Sequence, residues 1–484
     1  MQTYRSREFL ALFSAVMLPM FLGAVDQTLL ATATPTIAHE FGNLGDTSWI
    51  AIGYLLTAAI SAPIHGRMGD RFGRRNAMLA VLASFALGSL AGSLARPLGA
   101  LVASPGLQGG GGGGLMVLSQ ALIGELVKPA DRPRYQGWFA MIFTASSVGG
   151  PVLGGLIVHH LGWRWLFWGN LPLCALAAWR MWRLPARHQA RAGSLPADPV
   201  GLVLFVITAT SLLSWFSLAG HRFHWLSVTS AALLMTGAVV GWLLWRQQRR
   251  RVSPFLPLEL LRRPGVPTIC ATVVCFAASL FALVFLLPIY LLGALGADPA
   301  TAGWLMLPLT FGVVAGSTMN SRVTLRLGTP SATPRFGLTA TASALGLLAL
   351  LPPSMTGTAL CMGIAGVGLG TVMPNAQLSM QVLAGRERLG VAAALVALTR
   401  SCGASLGTAL FGGLAFALLK TDLRDRAAAG IDLAALSPPQ IDHALRIAFG
   451  AVAAMAALGA WLATRLPRVD LRTAQWNKET EDVQ

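Results

Sequence analysis

Fourteen apolar stretches, each about as long as a bilayer-spanning helix, follow one another between residues 9 and 464. A crossing helix needs about 20 mostly apolar residues. The stretches run 9–37, 47–65, 76–94, 98–126, 135–158, 163–182, 199–218, 225–245, 266–292, 299–319, 336–352, 357–382, 389–418 and 442–464. Hydrophobic side chains make up 54% of the chain and charged ones 11%, where a soluble domain carries roughly 25% charge. Mean hydropathy is +0.62. No aqueous core encloses that much apolar chain, so lipid must be the main solvent and the predicted fold is all-α and polytopic. The first stretch is too long for the apolar core of a cleaved signal and contains Asp26, so it is expected to persist as a helix.

A net charge of +17 would point to nucleic acid in a soluble protein. Here topology explains it. Of 36 Lys and Arg, 28 fall in the termini and alternate loops 66–76, 127–134, 180–198, 246–264, 320–335 and 384–388, and six in the opposite loops. Positive residues collect in the cytoplasm, so both termini are expected there, in a bacterial inner membrane, with no nucleic-acid partner. The five cysteines lie in apolar segments without metal or CxxC spacing and read as small core residues. No metal or other cofactor is expected, and no nucleophile–base set suggests an enzyme.

The chain carries a degenerate tandem repeat. Arg67, Arg71 and Gly73 match Arg322, Arg326 and Gly328 at a constant offset, and Gly150/Gly154 and Gln120 find echoes in Gly403/Gly407 and Gln377. Two six-helix halves follow, 1–185 and 265–466, with a linker and two inserted helices at 186–264 and a cytoplasmic tail at 467–484. Segment 419–441 reads as an external loop or short surface helix.

Several residue sets stand out. In the loop Gly66-Arg-Met-Gly-Asp-Arg-Phe-Gly-Arg-Arg75, Gly66, Gly69 and Gly73 permit close backbone approach. Asp70, set among Arg67, Arg71, Arg74 and Arg75, can accept charged hydrogen bonds or cap a nearby helix N-terminus, a contact able to form and break as a gate. An ionised Asp26 at mid-helix would cost about 3 kcal/mol, so it is expected to face a cavity or a partner and to exchange a proton there. Export requires that it reach a water-accessible central space. Gly149, Gly150, Pro151, Gly154 and Gly155 in the fifth helix permit tight packing and a bend. The glycine run 109–114 is not followed by Lys-Ser/Thr, so close helix contact is expected rather than a phosphate loop, in a helix loosened by its glycines. Glu125 is either an intramembrane titrating group or a residue of the cytoplasmic edge. Arg400, inside the thirteenth helix, needs a carboxylate or a wet cavity. Arg446 reads as a snorkelling residue. Thr28, Tyr54, Gln120, Asn375 and Gln377 complete the candidate substrate cavity.

At these residues the chain resembles the major facilitator superfamily, and more narrowly its fourteen-helix drug/proton antiporter branch. Loop 66–75 fits the superfamily's signature, Asp26-Gln-Thr28 with Pro35 fits that branch's first-helix motif, and Gly149 to Gly155 fits its helix-five motif. Gly162-Trp-Arg-Trp-Leu-Phe-Trp168 with Asn170 and Pro172 fits the lead into its sixth helix. The resemblance implies movement of small molecules by alternating access, with Asp26 handling protons and Asp70 steadying one state. Glu125 and Arg400 are further proton-coupling candidates, and a monomer is expected. It also implies lipophilic, often cationic, substrates. One position departs: where the family has an arginine tied to proton coupling, this chain has Pro105. Either another cation such as Arg400 substitutes, or coupling is altered or lost. Proton-driven efflux is the leading expectation. Its rivals are a specific metabolite exporter or uptake carrier, and a transport-inactive sensor.

Overall fold

The computed structural model describes residues 6–41, 44–95, 98–184, 198–218, 223, 227–251, 254–256, 258–421 and 437–471, except for the side chains at some helical positions. Every long apolar stretch forms a helix. In order these are α1 (Ser6–Phe41), α2 (Leu44–Phe72), α3 (Arg74–Leu94), α4 (Leu98–Leu126), α5 (Arg132–Leu161), α6 (Arg164–Trp182), α7 (Pro199–Leu218) and α8 (Val228–Gln248). After the one-turn α9 (Leu258–Arg262) come α10 (Val266–Gly293), α11 (Pro299–Leu327), α12 (Thr333–Leu350), α13 (Met355–Gly370), α14 (Val372–Ala384), α15 (Leu389–Thr421) and α16 (Pro438–Ala463). The stretch expected as one helix over 357–382 is thus two, α13 and α14, meeting at Thr371. Pro374 has no N–H to offer the Gly370 carbonyl one turn back, so the helical ladder lapses there. Most of segment 419–441 lies outside the described residues.

Several helix ends are set by their own sequence. Asp298 accepts hydrogen bonds from the Ala300 and Thr301 backbone N–H groups to open α11. Ser227 does the same for α8 through Ser230, and Ser354 for α13 through Gly357. The repeat is visible in backbone geometry. Gly73 closes α2 at φ 88°, and its counterpart Gly328 closes α11 at φ 74°. Both positions need a left-handed conformation that a Cβ disfavours.

Helix pairing repeats as well. The pairs α2–α4, α3–α4, α1–α5 and α3–α6 recur as α11–α13, α12–α13, α10–α15 and α12–α16. Two apolar cores follow this division: one around Met78, Phe85, Leu118 and Met181, the other around Leu286, Tyr290, Leu345 and Phe449. The two sets meet mainly through α5 against α11 and α2 against α15. The inserted hairpin α7–α8 packs α7 across α2 and α15 together, through Phe205, Ala209 and Leu213. Its partner α8 leaves Met235, Val239, Trp242 and Trp245 exposed. Apolar surface on that scale needs lipid. Among the described residues, nine helical spans are long and apolar enough to cross a membrane: α1, α3, α7, α8, α10, α11, α13–α14, α15 and α16. Where helices leave the apolar zone, Arg183, Arg246, Arg249 and Arg465 stack on Trp179, Trp242, Trp245 and Trp461, an arrangement suited to a headgroup layer.

Candidate functional site

The end of the bundle that carries the basic loops is closed by one contact set. Asp70 lies in the last turn of α2 with its side chain 2% exposed. Its Oδ1 accepts the Gly390 N–H at 2.9 Å, and its Oδ2 accepts the Val391 N–H at 2.9 Å. Those donors are in the first turn of α15, where backbone N–H groups have no partner inside the helix and the helix dipole favours an anion. Arg74, the first residue of α3, binds Asp70 at 2.7 Å and Glu125 at 2.6 Å, and also reaches the Arg386 carbonyl at 3.1 Å. A Cβ on Gly66 would run into the Gly390 backbone. The two helices therefore touch main chain to main chain, which brings the α15 N-terminus within reach of Asp70. Gly69 gives the same clearance to Leu118. Arg71 stands apart, stacked on Phe72. A second bridge runs from the Gln381 amide to the Gln120 carbonyl at 3.0 Å. Of the two readings left open for Glu125, the structure takes the edge: its carboxylate is ion-paired to Arg74 in this closure.

Above the closure, a cavity of about 180 Å³ lies between α1, α4 and α5 on one side and α10, α11 and α13–α15 on the other. Phe139, Phe143, Phe276 and Phe281 with Met20, Met116 and Met373 are the largest apolar members of its wall, and small and aliphatic residues fill in between them. Gln120, Gln136, Gln377, Ser317 and Arg400 are its polar members. Gln136 donates to Gln120 Oε1 at 2.9 Å. Arg400 is eleven residues into α15, roughly 16 Å from that helix's start, too deep to snorkel out of the basic end.

Asp26 is not in this lining. Met20 lines the cavity, and six residues further along α1 moves a side chain about 9 Å onward and 120° around. Asp26 is turned into the first six helices and is 3% exposed. Its Oδ1 accepts from Gln108 at 2.8 Å and Asn170 at 2.7 Å, and both amides also contact Ser89. Its Oδ2 has no hydrogen-bond partner among the described residues. The carboxyl has the partner anticipated for it, but not the central space that export was expected to require. Arg400 does not serve as its counter-ion, and the position of the missing arginine, Pro105, is buried within an unbroken α4.

With this geometry in place, the comparison with known proteins is decisive. The model of the Major Facilitator Superfamily matches residues 16–408. The chain belongs to the Major Facilitator Superfamily. Among this facilitator's relatives, an uncharacterized MFS-type transporter of Mycobacterium tuberculosis H37Rv is 32% identical over 441 residues, which is 90% of this chain and 64% of that protein. The chain thus spans less than two thirds of that relative's length. The multidrug transporter protein MdtP of Bacillus subtilis is 28% identical over 411 residues, 83% of this chain and 74% of that one. Two solved structures share the fold of this facilitator. The human organic anion transporter MFSD10 has a TM-score of 0.66 at 14% identity, covering 94% of this chain and 99% of its own. The proton:xylose symporter XylE has 0.62 at 12%, covering 97% and 98%. At those identities the likeness speaks to fold alone.

The remaining candidates divide by location. Gln120 and Gln377 line the cavity. Thr28 does not: its hydroxyl donates to Val25 O and, across to α5, Ser146 O. Tyr54 donates to Gly23 O at 3.3 Å, beside Asp26. Asn375 is enclosed in the second half, donating to Asn320 at 2.9 Å and Thr333 at 2.7 Å. Thr28 and Asn375 make these contacts within their own halves, and the Tyr54 hydroxyl lies against the Asp26 carboxyl. A Cβ on Gly150 would strike Thr28, so the fifth-helix motif does bring α5 onto α1. Gly155, by contrast, meets nothing within 4 Å. Gly154 is buried, and the side-chain positions of Gly149 and Pro151 lie outside the described residues. In α4, Gly109, Gly111 and Gly113 admit Tyr54, Phe85 and Ala58, so the glycine run is a close helix contact and the helix stays continuous rather than loosened. Arg446 caps the end of α12 through the Ala349 and Leu350 carbonyls. Sequence reasoning gave no site role to Gln108, Asn170 or Gln136, although Asn170 stood in the sixth-helix motif. Asn170 and Gln136 are each the only side-chain amide of their helix, and Gln108 shares α4 with Gln120.

Proposed function

We propose that this facilitator is a secondary active transporter that exports amphipathic small molecules across a bacterial inner membrane in exchange for protons, by alternating access. The observation that carries the reading is Asp70 bound to the α15 N-terminus, a contact between the two halves beneath a cavity that both halves line. Loop charge makes the basic end cytoplasmic, so the conformation described is closed to the cytoplasm. Opening requires the Asp70, Arg74 and Gln381 contacts to part while α5 and α11 slide. The two apolar cores stay intact, because each half packs internally, and change inside the first half is confined to the polar pocket of Asp26, Gln108, Asn170 and Ser89.

Asp26 lacks a central space in the described conformation, so proton exchange through it requires a second conformation in which water reaches it. A carboxylate held by two amides with no cation, and with one oxygen unpartnered, is costly to keep ionised in low dielectric. It therefore holds a proton in this state and releases it when rearrangement of the first half admits water. In everted vesicles, where respiration acidifies the interior, adding a transported compound releases protons and collapses the gradient. Asp26→Asn should abolish that release while leaving counterflow of the same compound intact. Proton release that persists in the variant removes Asp26 from the mechanism, and loss of counterflow as well makes the residue structural. A narrower reading, export of one metabolite, is favoured by the size of the cavity, which is below the roughly 300–1,000 Å³ of drug-sized clefts. Flat responses across a drug panel alongside one strong metabolite response would select it.

A further inference from the structure

The polar groups of the central cavity share one character, and it is not the one expected of a site for cations. Arg400 forms no hydrogen bond or ion pair with any described residue, although a guanidinium carries five N–H donors and is expensive to leave unmatched away from water. No aspartate or glutamate belongs to the lining. The buried carboxylates elsewhere in the bundle are committed: Asp26 to Gln108 and Asn170, Asp70 and Glu125 to Arg74. Two further lining groups are unpartnered among the described residues, the Gln377 amide nitrogen and the Ser317 hydroxyl. The amide nitrogen can only donate. The site therefore offers one fixed positive charge, with neutral amides and a hydroxyl beside it, inside an otherwise apolar wall.

We propose that the cavity takes an amphipathic organic anion, its carboxylate or sulfonate paired with Arg400 and its apolar body against the aromatic wall. Resting on the transport reading above, this names the substrate class. A planar guanidinium meets a carboxylate with two parallel N–H bonds, which an ammonium cannot reproduce. A guest of positive charge would face Arg400 without a counter-charge, a repulsion that selects against cations as effectively as the pairing selects for anions. The Pro105 departure fits this division of labour: the cation absent from α4 is not replaced beside Asp26, and the cation in α15 belongs to the substrate.

Two small probes with a phenyl body and opposite charge, matched to the size of the cavity, test it: radiolabelled 4-phenylbutyrate and benzyltrimethylammonium. Counterflow of each is measured in proteoliposomes of the purified full chain, and binding of each is measured in parallel on protein immobilised in nanodiscs. Wild type should prefer the anion by roughly tenfold or more, equivalent to about 1.4 kcal/mol. Arg400→Gln should erase that ratio, and Arg400→Lys should keep part of it. Because the ratio is read within one preparation, partial misfolding cancels. A preference for the cation, or a ratio unchanged in Arg400→Gln, overturns the anion site and leaves transport standing. Arg400-dependent binding of the anion with no counterflow of either probe sustains the anion site and refutes the transport reading instead.

Discussion

At the scale of single residues, the closure of the basic end rests on one carboxylate. Asp70 accepts two backbone N–H groups from α15 and one guanidinium bond from Arg74, and hydrogen bonds to charged groups are worth about 1.5–3 kcal/mol each. Asp70→Asn keeps the size of the side chain but removes the charge and one acceptor. The basic end should then open more often. With the native cysteines replaced, labelling of Val396→Cys by an impermeant thiol reagent from that side should rise about tenfold or more. An unchanged rate would show that Asp70 does not hold the gate. Gly66→Ala should act in the same direction by a different route, because its Cβ cannot share space with the Gly390 backbone. If both changes open one contact, the double variant should gain less than the sum of the two. Arg74→Lys should also loosen the closure. One ammonium on a flexible stem cannot reproduce three contacts made by a rigid guanidinium.

At the scale of elements, the inserted hairpin is fastened to the same region. Asp198, just ahead of α7, accepts from Gly201 N and Gln247 at 2.9 and 2.7 Å, and from Gln248 and Phe255 N at 2.7 and 3.1 Å. Arg67, from the gate loop, donates to the Pro254 and Phe255 carbonyls and lies over the Phe255 ring. Residues 254–256, a short strap, thus tie the foot of α8 to α7 and to α2. Asp198→Ala should free it at a cost of about 1–3 kcal/mol, seen as faster tryptic cleavage at the exposed Arg249, Arg250 and Arg251. Burial pushes the Asp198 carboxyl up, but those four hydrogen bonds win and hold it below its ordinary 3.8. A carboxyl lowered by folding stabilises in full above its unfolded value, and that stability is lost only as pH falls through the folded one. Wild-type cleavage should therefore stay flat from about pH 5.5 to 8 at constant trypsin activity. A rise within that window would mean that some other group controls the strap.

At the scale of the whole molecule, the charge of the substrate decides how membrane potential acts on the cycle. Exchange of one monoanion outward for one proton inward moves two charges. Each is worth about 2.3 kcal/mol per 100 mV, so the potential contributes about 4.6 kcal/mol. One monocation for one proton moves none. In proteoliposomes with potassium gradients clamped by valinomycin, anion–proton exchange should therefore accelerate steeply as the cytoplasmic side becomes negative. Potential-independent exchange would contradict the combination of an anionic substrate and one-to-one proton coupling. The two halves are suited to such a cycle because their cores are separate while their joint surfaces, α5–α11 and α2–α15, gather at one end.

Much of this was legible without coordinates. Apolar length alone places the helices, since a chain in lipid must satisfy its backbone internally. Loop 66–75 marks Asp70 as a carboxylate able to cap a helix N-terminus amid arginines, and the structure places it at the α15 N-terminus. The offset between Gly73 and Gly328 declares the repeat. What sequence cannot supply is the rotation of each helix about its axis. In a bundle buried on one side by protein and on the other by lipid, both faces are apolar, so periodicity carries almost no signal. That rotation turns Asp26 away from the cavity and aims Arg400 into it. It also encloses Asn375 in its own half and sets the α15 N-terminus against Asp70. Composition and spacing determined a polytopic helical bundle with a charged loop between its second and third helices. Only tertiary packing decided which charged side chain lines the central cavity.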